Sequence, residues 1–355
     1  MVKTLFNLIL LIAVGVGYGG SGGKPYTVED FSFPVKGDSL VLSGTLTIPA
    51  SFRPTDKVAI LVSPPQAFSR DYGEVYKSLA DALTISGVAV LRFDNRAFVD
   101  TTLRYEKSTM FIQKDDALRA FDAVKSDHRF ALSAVGLVGH SEGGSAAAIA
   151  VSERQDISFV VLLSTTGIKG KDLAFEQAKR KIEDTFHILP KADSAAVFDG
   201  LRTSLSLIYD YDDPDSLKYR MDNYVRARYE LDPKLYGNQT VEEAVVTNRA
   251  MWLKPRLIAY VRFEPARYYS KIKCPALVMC GKMDDQLDCQ SNLEGIKKIF
   301  KDIGKRNYEI VVLDDLGHSF QESDGMVKRP RYDASENNKP SKKAWAVITD
   351  WVGKI

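Results

Sequence analysis

Six short stretches of unbroken apolar sequence punctuate the chain: Val58-Ala59-Ile60-Leu61-Val62, Val88-Ala89-Val90-Leu91, Ala134 to Val138, Phe159 to Leu163, Ala276 to Met279 and Ile310 to Leu313. A strand whose two faces are both covered has no polar face to alternate with, so such runs predict a parallel sheet. The first β region, Tyr26 to Ile48, has a different texture. There Leu40, Leu42, Gly44, Leu46 and Ile48 alternate with Val41, Ser43, Thr45 and Thr47, which predicts a half-buried antiparallel strand. Helical periods lie between the runs. Val75, Leu79, Ala82 and Leu83 share one face, as do Ala117, Ala120, Phe121 and Val124, and Ala344, Ile348, Trp351 and Val352. Strands alternating with amphipathic helices predict an α/β fold: a doubly wound, mostly parallel sheet with antiparallel N-terminal strands.

One stretch interrupts the alternation. Between Ser164 and Ala276 roughly a hundred residues carry no clear strand and are rich in charged residues and tyrosine, with helical spacing at Leu201, Leu205 and Ile208. A connection of that length in a compact domain is usually an insertion with its own structure. It is read as a helical cap over the carboxyl edge of the sheet, residues 167–265, dividing the core into 24–166 and 266–355. The tyrosines of the cap, Tyr209, Tyr211, Tyr219, Tyr224, Tyr229, Tyr236 and Tyr260, are expected to form its core rather than a substrate platform.

The amino terminus has the pattern of an export signal. Lys3 precedes an apolar run from Leu5 to Val16, interrupted by Asn7, and a glycine-rich stretch, Gly15 to Gly23, follows. The run suits a signal peptide and is too short for a bilayer span of about 20 residues. Residues 1–23 are therefore expected to be signal and linker, and the mature protein to be secreted or periplasmic with no stable membrane insertion. Composition adds an exclusion: a formal net charge of +2 gives no basic surface that would argue for nucleic acid. Cys274, Cys280 and Cys289 are an odd set without zinc spacing; Cys280 and Cys289 have room to bridge across a loop, while buried free thiols are the expectation for Cys274 and Cys280.

The chemistry centres on Gly139-His140-Ser141-Glu142-Gly143-Gly144. An apolar strand leads into Gly-x-Ser-x-Gly, and a helix of small residues, Ser145 to Ala150, leads out. That is the context of a nucleophile elbow, in which a tight turn lifts the serine hydroxyl from the carboxyl edge of a sheet. A serine hydroxyl needs a base to take its proton and an acid to hold the base. His140 lies within the elbow and is expected to point elsewhere; His128 precedes the elbow strand and His187 lies in the insertion. His318, in Gly317-His318-Ser319-Phe320 after the last apolar run, is the candidate base. For the acid, Asp284, Asp285 and Asp288 compete, with Asp314 and Asp315 nearer the histidine. Asp284 is preferred, three residues past Gly281 at the end of an apolar run.

With these pieces in place the chain resembles the α/β-hydrolase superfamily, in its secreted esterase and serine-aminopeptidase-like branch. Val90-Leu91-Arg92-Phe93-Asp94-Asn95-Arg96 is similar to the family's strand ending in Asp-x-Arg-Gly, and Ile272 to Leu277 leads to Gly281-x-x-Asp284 as relatives do. The resemblance implies Ser141 as nucleophile, Asp284 as acid, His318 as base and the Glu142 backbone N–H as one oxyanion donor. Two positions depart from the family pattern. Pro65, in Ser63-Pro64-Pro65-Gln66, stands where the second oxyanion N–H is expected, and proline has none. Either Gln66 supplies the donor through its backbone or side-chain amide, or the hole is weak, or the loop is displaced by one residue. Ala97 replaces the glycine after Arg96. The implied activity is hydrolysis of a small-molecule carboxylic ester without metal or organic cofactor; cleavage of a short peptide by the same residues, and non-catalytic ligand binding on the same fold, are the alternatives.

Overall fold

All six continuous apolar runs form strands in the computed structural model of the chain, which describes residues 25–35, 39–100, 103, 107–185, 191–322 and 340–355. The expected signal segment and His187 lie outside the described residues. β1 (Tyr26–Pro34) and β2 (Val41–Pro49) precede β3 (Val58–Val62), β4 (Ala89–Phe93), β5 (Val135–His140), β6 (Val160–Leu163), β7 (Ala276–Gly281) and β8 (Tyr308–Leu313). Together they form one eight-stranded sheet in the order β1-β2-β4-β3-β5-β6-β7-β8. β1 and β2 pair antiparallel, β2 pairs antiparallel with β4, and the neighbours from β4 onward are parallel. The early alternation and the later unbroken runs thus correspond to two kinds of strand in one sheet.

β3 to β7 are buried along their whole length, whereas β8 is half-buried, with Val312 exposed. β8 is an edge strand with one neighbour, so its apolar run is covered less completely than those inside the sheet. On β2 the alternation holds at Leu42 and Leu46, both fully buried, and fails at Thr47. The Thr47 hydroxyl is buried because it has a partner, the Thr84 hydroxyl at 2.6 Å.

The sheet carries helices on both faces. One face packs α1 (Val75–Ile85), and at the far end of the chain α12 (Lys342–Lys354) joins it there. Ala59 and Leu61 of β3 meet Leu79, Leu83, Ile348 and Val352 on this side. Ile60 and Val62 project the other way, as a period of two requires. They join a larger core with α3 (Met110–Ser126), α4 (Glu142–Glu153) and α11 (Cys289–Asp302). The helical faces expected at Val75, Leu79 and Leu83 and at Ala117, Ala120, Phe121 and Val124 are the buried ones. A single turn, α2 (Arg96–Val99), follows β4.

Between β6 and β7 the described residues are helical: α5 (Gly170–Thr185), α6 (Lys191–Asp210), α7 (Pro214–Leu231), α8 (Val241–Trp252), α9 (Pro255–Val261) and α10 (Pro265–Tyr269), with a short 3-10 turn after α7. This segment has an apolar cluster of its own, Leu205, Ile208, Leu217, Met221 and Val261, against which Tyr209, Tyr211, Tyr224 and Trp252 pack. Tyr229 and Tyr236 line a smaller one, while Tyr219 is exposed. Most of the tyrosines are thus packing residues. Among the described residues no helix is long and apolar enough to cross a membrane. The three cysteines are free thiols, so Cys280 and Cys289 are not bridged. The neighbouring Cys289 and, second, burial push the Cys280 thiol far up.

Candidate active site

Ser141 occupies the turn between β5 and α4 with φ 56° and ψ −129°. A side-chain-bearing residue in that region is strained and persists only where its surroundings over-determine it. Its neighbours do so. A Cβ on Gly139 would fall 2.5 Å from the Gly143 carbonyl oxygen, and one on Gly143 would collide with the Val62 carbonyl oxygen on β3. Only glycine admits such an approach of helix to strand. The Ser141 N–H donates to the Leu163 carbonyl at 2.8 Å and its own carbonyl accepts from the Gly144 N–H at 2.9 Å. The run Ala146 to Ala150 is fully buried, so α4 sits over the centre of the sheet with little side chain in between.

The loops after β7 and β8 bring two of the expected residues together. His318 Nδ1 lies 2.8 Å from Asp284 Oδ2, and the two side chains are 3% and 0% exposed. The other Asp284 oxygen accepts from the Gln286 N–H at 2.8 Å and the Leu287 N–H at 3.0 Å, which fixes the carboxylate plane. Gly281 makes this possible: a Cβ there would collide with the Leu316 carbonyl oxygen in the histidine loop. The rival acids face elsewhere. Asp288 caps α11 through the Ser291 N–H, Asp314 pairs with Lys282, and Asp285 and Asp315 are exposed.

No hydrogen bond joins Ser141 Oγ to His318 Nε2 among the described contacts; such bonds are often long without substrate. The elbow and the histidine loop are joined one residue earlier, by His140. Its Nε2 is 2.9 Å from the His318 carbonyl oxygen and its Nδ1 is 3.1 Å from the Tyr76 hydroxyl. A carbonyl can only accept, so the proton belongs on Nε2, and Nδ1 then accepts from Tyr76. Sequence reasoning set His140 aside as pointing elsewhere. It does turn away from the elbow's open side, but it supports the backbone of the candidate base. Nothing in the spacing of Tyr76 or His140 signals this, because the contact spans 178 residues, from the end of β5 to the loop after β8.

The oxyanion side is less simple than the motif suggests. Glu142 is the first residue of α4, so its N–H has no intrahelical acceptor and is available at the elbow. Pro65 has no N–H to add. The Gln66 N–H donates at 2.7 Å to the Pro64 carbonyl inside its own turn. Of the two routes expected through Gln66, the backbone route is therefore engaged locally in this conformation. The loop itself is held by the Asp94-Asn95-Arg96 segment. Asp94 accepts from the Arg70 N–H at 2.8 Å and from its guanidinium. Asn95 Nδ2 donates to the Pro64 carbonyl at 2.7 Å, and Arg96 pairs with the fully buried Asp116. Ala97 lies in the α2 turn, where its N–H is capped by Asn95 Oδ1 and its φ is not positive, so glycine is not needed there.

The Glu142 side chain is paired with Arg256 of α9. Burial pushes the Glu142 carboxyl up to about 7, and the guanidinium pulls against that rise. Arg256 is the residue of this site that sequence reasoning missed: an arginine in a charge-rich helical stretch carries no distinguishing signal.

His140 generates a pH prediction. Burial first, and the nearby His318 second, hold its pKa down at about 3. The unfolded chain takes up a proton there near pH ~6.5, and the folded chain does not until about 3. Its contribution to stability is therefore complete above that unfolded value and declines as pH falls through the window. Nitrogen NMR of the labelled ring should show a neutral Nε2–H tautomer at pH 5; an imidazolium signal at that pH would contradict the assignment.

Residues 70–324 match the family described as "Serine aminopeptidase, S33". Esterase EstD of Thermotoga maritima is 24% identical over 323 residues, covering 87% of this chain; the chain spans 64% of that relative's length. The dienelactone hydrolase of Anabaena variabilis superposes with a TM-score of 0.50 at 13% identity, over 92% of this chain and 97% of that one. A 2,6-dihydroxy-pseudo-oxynicotine hydrolase does so at 0.50 and 14%, over 92% and 67%. These likenesses concern the fold alone, which is that of the α/β-hydrolases. With its elbow, its sheet order and a family match across most of its length, the chain belongs to the S33 serine aminopeptidase family of α/β-hydrolases.

Proposed function

We propose that this protein is a serine hydrolase that cleaves carboxylic esters through an acyl-enzyme on Ser141, with His318 as base and Asp284 as acid. The observation that carries the reading is the buried 2.8 Å hydrogen bond between His318 Nδ1 and Asp284 Oδ2, on loops tied to the elbow. Asp284 holds the Nδ1–H tautomer and leaves Nε2 free to take the Ser141 proton. The alkoxide oxygen attacks the acyl carbon, and the Glu142 N–H, with the Gln66 side chain, faces the developing oxyanion. His318 returns the proton to the leaving alcohol, and water repeats the cycle on the acyl-enzyme. The esterase relative from Thermotoga maritima supports ester substrates.

A fluorophosphonate probe is expected to label the wild type and not Ser141→Ala. Asp284→Asn should reduce turnover of a p-nitrophenyl ester by about 10⁴-fold, as in other triads, while Asp285→Asn and Asp288→Asn stay near wild type. Absence of labelling in the folded wild type would sink the reading; a severe Asp285→Asn would move the acid.

The family description favours an aminopeptidase as the second reading, and one observation gives it a concrete form. Such an enzyme needs a carboxylate for the substrate's α-ammonium. Glu176 of α5 has a buried carboxylate oxygen without a hydrogen-bond partner, and burial, chiefly, raises its pKa. Its neighbour Gln177 donates to the Gln286 carbonyl in the acid loop. Asp213, another carboxylate of the insertion, is instead engaged in capping α7. Turnover of aminoacyl p-nitroanilides that raises KM about tenfold or more in Glu176→Gln would support this reading, since one charge-assisted contact contributes that much. Ester turnover alone would set it aside.

Export is part of the proposal and rests on the segment 1–23. Amino-terminal sequencing of protein recovered from its native compartment should find a start between Gly15 and Lys24; an intact Met1 would overturn it.

A further inference from the structure

We infer that Arg256 is a positioning residue that keeps the two halves of the oxyanion hole facing each other, making the helical insertion part of the catalytic apparatus. This rests on the Ser141 reading. One guanidinium reaches both halves at once. Nη1 donates to the Pro65 carbonyl at 2.6 Å and to the Ser108 carbonyl at 2.9 Å, and Nη2 pairs with the Glu142 carboxylate. These acceptors lie on the loop after β3, the segment before α3 and the first residue of α4, each more than a hundred residues from Arg256 in sequence. The two paired side chains are only 11% and 8% exposed.

Pro65 and Glu142 are the positions at which the family pattern expects the two oxyanion donors. Proline removes the donor from one of them and the Gln66 N–H donates within its own turn, so at Pro64 and Pro65 the loop is held through its carbonyls. Asn95 holds the Pro64 carbonyl from the core, and Arg256 holds the next one, Pro65, from the insertion. The same guanidinium anchors the side chain of the residue whose N–H is the other donor. A planar fork with five donors can serve such divergent acceptors; a lysine ammonium is a point charge on a flexible stem and keeps only the ion pair. Arg249 offers a contrast, since it pairs with Asp222 wholly inside the insertion.

The test uses the full chain: wild type, Arg256→Ala, Arg256→Lys, Glu142→Gln and Arg249→Gln, each measured for kcat, KM and Tm with a p-nitrophenyl ester. Arg256→Ala is expected to lose about 10²-fold in kcat with KM within a few fold, the scale of an ångström-level misplacement. Arg256→Lys should recover only part of this, and added ethylguanidinium should raise the rate of Arg256→Ala. Arg249→Gln should lower Tm without a comparable fall in kcat. Arg256 variants at the wild-type rate, or a loss matched by Arg249→Gln at equal Tm and blind to ethylguanidinium, would overturn the inference alone. A wild type unlabelled by fluorophosphonate would overturn the Ser141 reading and this inference with it. Should Arg256→Ala fail to fold, Arg256→Lys and Glu142→Gln decide: full kcat in both overturns it, and reduced kcat at unchanged KM upholds it.

Discussion

The geometry of the site depends on how closely α4 approaches the sheet beneath Ser141. Gly139 and Gly143 bring the helix backbone within contact of β5 and β3, and that approach holds Ser141 at a positive φ. The strain is local, but its support is spread widely. Buried small residues in α4, continuous apolar strands on either side and the Leu163 carbonyl all contribute. Burying apolar surface stabilises at roughly 25 cal/mol per Å², so about 40–120 Å² of it offsets the ~1–3 kcal/mol of a strained backbone position. The turn persists because the core around it is large.

Around that fixed point the partners are arranged by loop-to-loop contacts. Gly281 lets the acid loop lie against the histidine loop, Asp284 is oriented by two amides, and His140 ties the elbow to the His318 backbone. These supports keep a neutral ring, His140, beside the candidate base rather than a second cation. Burial is the reason: it holds the pKa of the His140 ring down at about 3.

Much of this was legible in the sequence, for identifiable reasons. Unbroken apolar runs report strands covered on two faces, and Leu42 and Leu46 report a strand covered on one. The elbow is a local motif, since the residues that answer its steric demands are six consecutive ones. Asp284 and His318 are singled out by their position after their strands, which topology dictates, and the fold places them in hydrogen-bond contact. What escaped was non-local. The link from Tyr76 through His140 to His318, and the link from Arg256 to Pro65 and Glu142, join segments that only the folded chain brings together. The inward turn of the Gln66 N–H is a backbone detail that residue identity does not encode, and the exposure of β8 follows from its place at the edge.

The position of the helical insertion along the chain has a consequence for how the protein is made. The elbow lies on one side of α5 to α10, and Asp284 and His318 lie on the other. On the ribosome the nucleophile strand and α4 emerge first and must wait for the whole insertion before β7 and β8 can complete the sheet beside β6. Contacts of such sequence separation form late, because their loop closure must be met before they contribute. Asp284 and His318 are separated by only 34 residues and assemble together, whereas the His140–His318 link spans 178. Chains that stall within the insertion therefore carry a reactive-looking serine motif with no base to activate it. The order of synthesis leaves Ser141 without its candidate base until the domain is whole.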